Sequence, residues 1–349
     1  MFDSLELWFD AHPVVQNVAF DVSPVVTVLA LAFALLRARR QPLWAEAYRR
    51  LGRNKSALLA LFVIGLYGLV SLSDSIGWWD AKKQDRVTVL DSVAGRNLER
   101  YYSPPLGTHT VGEAFPQPLK EPRTHLLGTD GTGADVLYRT LKGARTAFVI
   151  GGLTSLIAIP IGILLGLLSG YFGKWVDDLI TYFYTVLSSI PSILLQIAIA
   201  MVLGKGMWQI CIALGMARWV GLCRQIRGET LRHREREYVR AAKALGVSDF
   251  QIVIKHILPN LLPMVIIFTT LGFSGLILSE AILSYLGIGV GAGVGSWGNM
   301  INASRDELAR EPILWWNLAS ASTAMLGIVL AFNLLGDALR DAIDPRLRS

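Results

Sequence analysis

The side chains best suited to chemistry in this chain do not show the spacing of a catalytic or metal centre. Its five histidines and two cysteines lack metal-ligand spacing and no H-E-x-x-H occurs, so we predict no metal site and no catalytic residue. No G-x-x-x-x-G-K-[ST] occurs either, so the chain is not predicted to hold a nucleotide in a phosphate-binding loop. The alternating glycines of residues 287–295 follow an apolar helix rather than a strand, which favours a flexible loop over a dinucleotide-binding turn. Energy for any uphill transport would then come from another subunit or from an ion gradient.

One charged segment, residues 238–260 (YVRAAKALGVSDFQIVIKHILPN), lies between apolar runs that are each long enough to cross a bilayer. Residues 238–245 have helix-forming composition, and Gly246 is suited to the left-handed cap that ends a helix. Ser248, with Gln251 three residues later, predicts a capping box that starts a second helix.

Two prolines follow this second helix, and two alanines lie in the first. Pro259 and Pro263 are predicted to close the unit, because proline is tolerated in the first turn of a helix but not in its interior. Ala241 and Ala242 would leave a smooth patch that another backbone could approach. We therefore predict a helix, a tight turn and a helix on the membrane surface, gripped by something outside the membrane.

The composition predicts an all-α integral membrane protein. Apolar residues make up 52% of the chain and charged residues 17%. A span needs about 20 apolar residues, and helices satisfy their backbone groups in lipid where an open sheet edge does not. Six segments qualify: residues 57–73, 144–168, 179–203, 208–223, 261–286 and 313–335. The fourth is short and carries Arg218, so its limits are the least certain.

The charges of the loops predict the orientation. Residues 37–56 carry seven Lys or Arg and residues 224–258 carry eight, whereas residues 287–312 carry only Arg305 and Arg310. The first two loops are therefore predicted to be cytoplasmic and the third external. Residues 74–139 are also basic, but a loop of that length crosses regardless of its charge, so we place it outside. The net charge of +6 is explained by cytoplasmic loops and implies no nucleic-acid partner.

The predicted organisation has five parts. They are an N-terminal segment with a basic cytoplasmic linker (1–56), a first core helix (57–73), an external insertion and entry to the core (74–143), a core (144–339) that contains the cytoplasmic loop 230–260, and a cytoplasmic tail (340–349). Residues 22–36 are apolar, and extending the segment back to residue 14 takes in Asn17 and Asp21. The segment forms either a seventh span or an amphipathic helix on the cytoplasmic surface. The polar, proline-rich stretch 78–123 is predicted to be loop-rich. It contacts an external partner, covers the external mouth, or serves as a tethered spacer.

The segment 238–260 resembles the signature loop of the permease subunits of binding-protein-dependent ABC importers. That loop has Glu-Ala-Ala, a glycine, nine residues and an Ile-x-Leu-Pro ending, and here Ala241, Ala242, Gly246, Leu258 and Pro259 keep its spacing. Arg240 stands where Glu is usual and His256 where Ile is usual. Residues 124–349 are similar to dipeptide and oligopeptide permeases of the C-subunit type through a series of ordered blocks, among them THLLGTDGTGADVLYRTLKGARTAF and SEAILSYLGIG. In the first block, Ala134 replaces a usual Arg.

The resemblance implies a six-span type I importer core in a bacterial inner membrane and a non-catalytic permease for di- or oligopeptides. Implied partners are a second homologous permease, two cytoplasmic ATPases that bind ATP and magnesium, an external substrate-binding protein and membrane lipid, with no cofactor on this chain. The residues implied to couple to the ATPases are Glu237, Tyr238, Arg240, Ala241, Ala242, Gly246, His256, Leu258 and Pro259. Other cargo, such as nickel chelates, glutathione, murein peptides or a peptide antibiotic, stays open. A proton-coupled transporter is disfavoured because the spans carry few central ionisable groups and no inverted repeat.

Three features of the spans carry further predictions. Glu280 and Ser284, near the outer end of the fifth span, either form part of a pathway or gate, or pair with each other or a neighbouring serine at the interface. Pro191 is predicted to kink the third span so that it can line an opening. The small residues Gly162, Gly166 and Gly170 lie at four-residue spacing, which favours close helix packing over lining of the pathway.

Overall fold

The computed structural model describes residues 49–80, 85–95, 98–112, 115–291 and 293–343. The predicted N-terminal helix and residues 344–349 of the predicted tail lie outside the described residues. Ten helices and one pair of strands make up the described part. In chain order they are α1 (Lys55–Ser75), β1 (Gly77–Asp80), β2 (Asp85–Thr88), α2 (Val89–Ala94), α3 (Val136–Phe172), α4 (Lys174–Ser188), α5 (Ser192–Leu203), α6 (Met207–Arg234), α7 (Glu237–Ala244), α8 (Leu258–Tyr285), α9 (Trp297–Leu308) and α10 (Trp316–Ile343), with a short helical lead-in to α8 described below.

Four of the described helices are long and apolar enough to span a membrane, and they correspond to the first, second, fifth and sixth predicted spans. They are α1, α3, the continuous helix that ends in α8, and α10. The start of each is set by local caps where the sequence offers one. Asn54 accepts from the Ser56 backbone N–H at 3.0 Å ahead of α1, and Asp135 accepts from the Tyr138 N–H at 3.1 Å ahead of α3.

The third predicted span is broken rather than kinked. It consists of α4 and α5, which meet at 88°, and only as one unit do they have the length and hydropathy of a span. Pro191 is the N-cap of α5, and the two preceding residues, Ser189 and Ile190, form the bend. Proline lacks the N–H that would continue the α4 ladder and disfavours helical geometry in the residue before it. The fourth predicted span lies within α6, whose second half is strongly charged.

The glycines of α3 form its contact with α6, as predicted. A Cβ on Gly162 would lie 3.0 Å from the Leu222 side chain, and one on Gly166 would lie 2.7 Å from Ile226. Gly170 meets Thr230 in the same way, at 2.6 Å. The residue numbers rise together on both helices, so α3 and α6 run parallel and their backbones approach over at least two turns.

We expect Gly166→Leu to separate α3 from α6 and destabilise the protein. A leucine side chain in a closely packed contact forces shifts that cost about 1–3 kcal/mol, and more where backbone blocks relief. The Cβ of residue 166 would lie 2.8 Å from the Cys223 carbonyl oxygen, which cannot move away as a side chain can. Gly65→Leu on α1 is the matched control, because a Cβ there has no neighbour within 4 Å. The midpoint temperature of thermal unfolding in detergent should fall by several degrees for Gly166→Leu but not for Gly65→Leu. Equal midpoint temperatures for the two variants would contradict the packing role.

The described residues from 76 to 135, here called the external cap, fold onto one end of the helical bundle. Trp316 Nε1 donates to the Thr129 carbonyl at 2.9 Å, and Tyr102 is buried in the same cluster as Trp297 and Trp316. Contacts of this kind contradict the tethered-spacer alternative for the external insertion. The insertion is loop-rich as predicted, but it also holds the antiparallel pair β1–β2 and the helix α2.

The cap is tied to the bundle by a cluster of charges at the ends of α1 and α3. Lys142 Nζ lies 3.0 Å from Asp74 Oδ1 and 2.9 Å from Asp91 Oδ1, and Thr88 donates to Asp74 at 3.0 Å. Burial alone would raise the pKa of Asp91, but hydrogen bonds from Tyr138 and Thr88 and the Lys142 ammonium lower it to about 2. The cluster therefore keeps the Asp91 carboxylate ionised beside the Lys142 ammonium.

Candidate functional site

The unit predicted on the cytoplasmic surface is present, and its turn has a defined geometry. Helix α7 ends in a Schellman motif: Val247 N donates to the Ala242 carbonyl and Gly246 N to the Lys243 carbonyl, each at 3.1 Å. Gly246 has φ +78°, the left-handed conformation in which glycine carries no Cβ penalty. Ser248 then caps the next helical segment by accepting from the Gln251 N–H at 3.4 Å.

The second half of the unit differs from the prediction, because the prolines do not separate it from the membrane span. Residues 249–285 form one continuous helix, with a π-helical stretch at Ile252–Ile257 directly before Pro259. In that stretch Leu258 N donates to the Val253 carbonyl, five residues back. Proline removes one N–H donor from an α-helical ladder, and a widened turn is a local way to accommodate it. The surface unit is therefore joined to α8 through helix rather than through a loop.

The inner face of the unit is attached to the bundle by apolar packing. Val239, Ile252 and Ile257 are buried in one cluster with Leu222 and Ile226 of α6. This attachment is extended by Tyr171 at the end of α3, whose hydroxyl donates to Asp249 at 2.5 Å. The unit is therefore packed against both α3 and α6.

Ala242 lies in this buried cluster with only 7% of its surface exposed, so the prediction of a smooth two-alanine patch is wrong for it. Ala241 lies on the outer face. Residues one apart on a helix point about 100° away from each other, so neighbouring alanines cannot share a face. Gly246 is exposed with open space around it, so its role in the isolated chain is conformational.

The other predicted coupling residues divide by burial. Glu237, Arg240, Ala241 and Gly246 are exposed, whereas Tyr238, His256, Leu258 and Pro259 are half-buried. Arg240 donates to the exposed Glu235 at 3.0 Å, and this hydrogen bond lowers the pKa of that carboxyl. Burial raises the pKa of the Tyr238 hydroxyl, which lies 2.7 Å from His233 Nδ1.

Two exposed apolar side chains lie at the tip of the unit, and neither was predicted from the sequence as part of its surface. Leu245 is 83% exposed and Phe250 is 74% exposed, on either side of the Gly246 turn. Ile254, one helical turn after Phe250, is also exposed. An exposed apolar tip on a rigid, charged surface unit is typical of a protein–protein contact. Part of the signal was available, because Phe250 and Ile254 are spaced i, i+4 on the face opposite the buried Ile252.

Glu280 is buried and paired at the other end of the bundle. Its Oε1 accepts from Ser284 at 2.7 Å and from Ser296 at 2.6 Å, and only 4% of the residue is exposed. Ser296 is also the N-cap of α9, so the carboxylate joins α8 to α9. This geometry supports the pairing alternative over the gate alternative for Glu280. Ser284 also borders an open cleft of about 270 Å³, together with Arg139, Lys205 and Asn302.

Comparison with known proteins identifies the family. A family model described as "Binding-protein-dependent transport system inner membrane component" matches residues 162–349. The chain belongs to this family. It is 33% identical to the dipeptide transport system permease protein DppC of Alkalihalophilus pseudofirmus, over 88% of this chain and 91% of that protein. It is 32% identical to the oligopeptide transport system permease protein OppC of Haemophilus influenzae, over 88% of this chain and 89% of that protein.

Among solved structures, a chain of the MetNI methionine ABC transporter in an inward-facing conformation covers 60% of this chain and 96% of its own length. At 19% identity and a TM-score of 0.46 that likeness carries no conclusion of its own. This inner-membrane component is thus a multi-pass permease of the binding-protein-dependent family. The family-model match to residues 162–349 includes α6, the surface unit and α8, which are the elements that form the candidate site.

Proposed function

We propose that this permease is one of two dissimilar membrane subunits of a bacterial ABC importer for di- or oligopeptides. The proposal is supported by the dipeptide and oligopeptide permeases to which it is similar over most of its length. The single observation that carries the mechanism is the surface unit, with its apolar tip exposed, its inner face packed on α6 and its second helix continuous with α8.

In this mechanism there are two cytoplasmic ATPases. One binds the tip of this surface unit, and the other binds the corresponding unit of the second permease. ATP and magnesium are held by those ATPases, and this chain contributes no catalytic group and no cofactor. When the ATPases close, they displace the unit. Because the helix from Asp249 to Tyr285 has no break, the displacement rotates α8 together with α3 and α6. Rigid-body movement of packed helices is an established route between two conformations of a membrane or soluble protein.

On the opposite side, an external binding protein delivers the peptide. The cap and α9 offer a structured surface for it, because both are fixed to the bundle rather than tethered. The pathway itself forms between this chain and the second permease.

The function is tested by reconstituting the chain in vesicles with the second permease, the ATPases and the binding protein encoded beside it. We expect transport of a radiolabelled dipeptide or pentapeptide across the vesicle membrane. Transport should require ATP on the membrane side that carries the ATPases and the binding protein on the opposite side. The same vesicles without ATP should show no concentrative uptake. Concentrative uptake by this chain alone, driven by an ion gradient, would contradict the proposal.

A further inference from the structure

Arg218 is a cation placed near the middle of the membrane region. A Cβ on Gly215 would lie 2.8 Å from the Ile157 side chain, and a Cβ on Gly162 would lie 3.0 Å from the Leu222 side chain. Arg218 therefore lies level with the residues of α3 between Ile157 and Gly162, close to the centre of the predicted span 144–168. Charged groups at such a depth are costly and face a cavity, a pathway or a partner.

The Arg218 guanidinium lies against two glycines and one aromatic ring. A Cβ on Gly272 of α8 would overlap Arg218 Nη2, and one on Gly275 would lie 3.6 Å from Nη1. The ring of Phe268 lies 5.6 Å from the guanidinium carbon. In the part of the chain that the structure describes, Arg218 has no carboxylate neighbour and no hydrogen bond. Beside it is a cavity of about 10 Å³, bordered by the hydroxyl residues Ser155 and Thr269, which has room for about one water molecule.

A stripe of small and polar residues leads from Arg218 to the cytoplasmic end of α6. It consists of Gly221, Gln225, Gly228 and Arg232, which are all exposed. With Arg218 they lie at spacings of three and four residues, so they share one helix face over about 21 Å. A face turned to lipid needs apolar side chains, and the exposed residue Leu164 on α3, at the depth of this stripe, is apolar as expected. The α6 stripe, by contrast, carries none of the large apolar side chains that a lipid-facing surface needs.

We propose that this stripe lines the cytoplasmic half of the transport pathway, and that Arg218 at its upper end binds the carboxylate of the peptide as it passes. The inference rests on the proposed function. A guanidinium binds a carboxylate through two parallel charge-assisted hydrogen bonds, which are strong where water is scarce. The alternative occupant is a carboxylate of the second permease. A fixed ion pair with the second permease would involve Arg218 alone and would not explain the rest of the stripe. A hydrated ligand that moves to the cytoplasm explains why the stripe continues to the end of α6.

The exposure of the stripe is tested with single cysteines in the assembled complex, in a background where the buried Cys211 and Cys223 are replaced by alanine. We expect Gln225→Cys to react with a membrane-impermeant anionic thiosulfonate from the cytoplasmic side. Leu164→Cys is the depth-matched control and should react at least about tenfold more slowly. Arg218→Gln should reduce the preference of Gln225→Cys for the anionic over a cationic reagent by about threefold or more. Equal labelling of the two cysteines in the complex would overturn the assignment of the stripe.

The carboxylate role is tested by import of one peptide with a free C-terminus and of the same peptide as its amide. Arg218→Gln should reduce import of the free peptide by about tenfold and reduce import of the amide much less, and Arg218→Lys should recover part of the loss. Arg224→Gln is the control, because it removes another cation from the same helix. The Arg224 guanidinium lies 5.3 Å from the Tyr184 ring and donates to Ser188.

The two proposals fail differently. If the unaltered complex imports neither peptide, the proposed function fails and this inference fails with it. If it imports both, and Arg218→Gln changes the two peptides by the same factor, only the role of Arg218 is wrong.

Discussion

Phe250→Asp is expected to detach the ATPase subunits from the complex while the permease stays folded. Phe250 is 74% exposed in this chain, so a charge there costs the isolated permease little. In a docked interface the same carboxylate would be desolvated without a partner. Truncation of a central apolar anchor or burial of an unpaired charge costs about 3 kcal/mol or more, which is about a 100-fold loss of affinity. The measurement is co-purification of the ATPases, together with peptide-stimulated ATP hydrolysis of the complex.

The chain offers a control with the same chemistry at the other end of the bundle. Phe115, in the external cap, is 80% exposed, and Phe115→Asp introduces the same charge at a similar exposure. It should leave the ATPases bound. Loss of the ATPases from both variants would indicate a general defect, and retention by Phe250→Asp would show that the apolar tip is not the contact.

Lys142→Met is expected to release the external cap from the bundle. The substitution leaves the carboxylates of Asp74 and Asp91 facing each other without the ammonium that now lies 3.0 Å and 2.9 Å from them. Only 3% of the Asp74 side chain is exposed. Breaking one partner of a buried ion pair costs about 3–5 kcal/mol, and we expect the lower part of that range because Arg145 lies 3.8 Å from Asp74. Protease cleavage within the cap, from the external side of intact vesicles, should then increase by about 100-fold, because cleavage follows the population of the opened form.

Two further variants separate this effect from a general loss of stability. Lys205→Met removes an exposed lysine on the same side and should leave cleavage unchanged. Asp74→Asn combined with Lys142→Met removes the uncompensated charge together with its partner and should restore part of the protection. If Lys142→Met alone cleaves at the rate of the unaltered protein, the charge cluster does not hold the cap.

The sequence predicts the membrane helices well because each depends on its own residues. Spans 57–73, 144–168, 261–286 and 313–335 all lie within or at the ends of observed helices, since apolar length and backbone hydrogen bonding are local requirements. The Gly246 turn was predictable for the same reason, because the left-handed cap needs only a glycine after helix-forming residues. The spacing of Gly162, Gly166 and Gly170 identified a helix contact but not the helix that they meet.

The errors arise where a local preference competes with the rest of the fold. Pro259 was expected to end a helix, but the π-helical turn before it allows the helix to continue. Pro191 was expected to bend a span, and instead it separates two helices. Ala242 was expected on the docking surface, and packing against the bundle determines which face of α7 is inward. The attachment of the cap was left open by the sequence, because it depends on Asp74 and Lys142, which are far apart along the chain.

The amino-acid sequence by itself determined that this protein is a helical membrane permease with a capped, charged unit between two of its apolar helices. Hydrophobic length, loop charge and turn chemistry act over a few residues, and they are written in the chain. Only the tertiary structure decided which faces are inward, that Leu245 and Phe250 remain exposed at the tip, and that Glu280 is paired with Ser284 and Ser296. It also decided that Arg218 lies between α6 and α8 with no counter-ion among the described residues. Those outcomes depend on contacts between helices that are distant in sequence, and no local pattern specifies them.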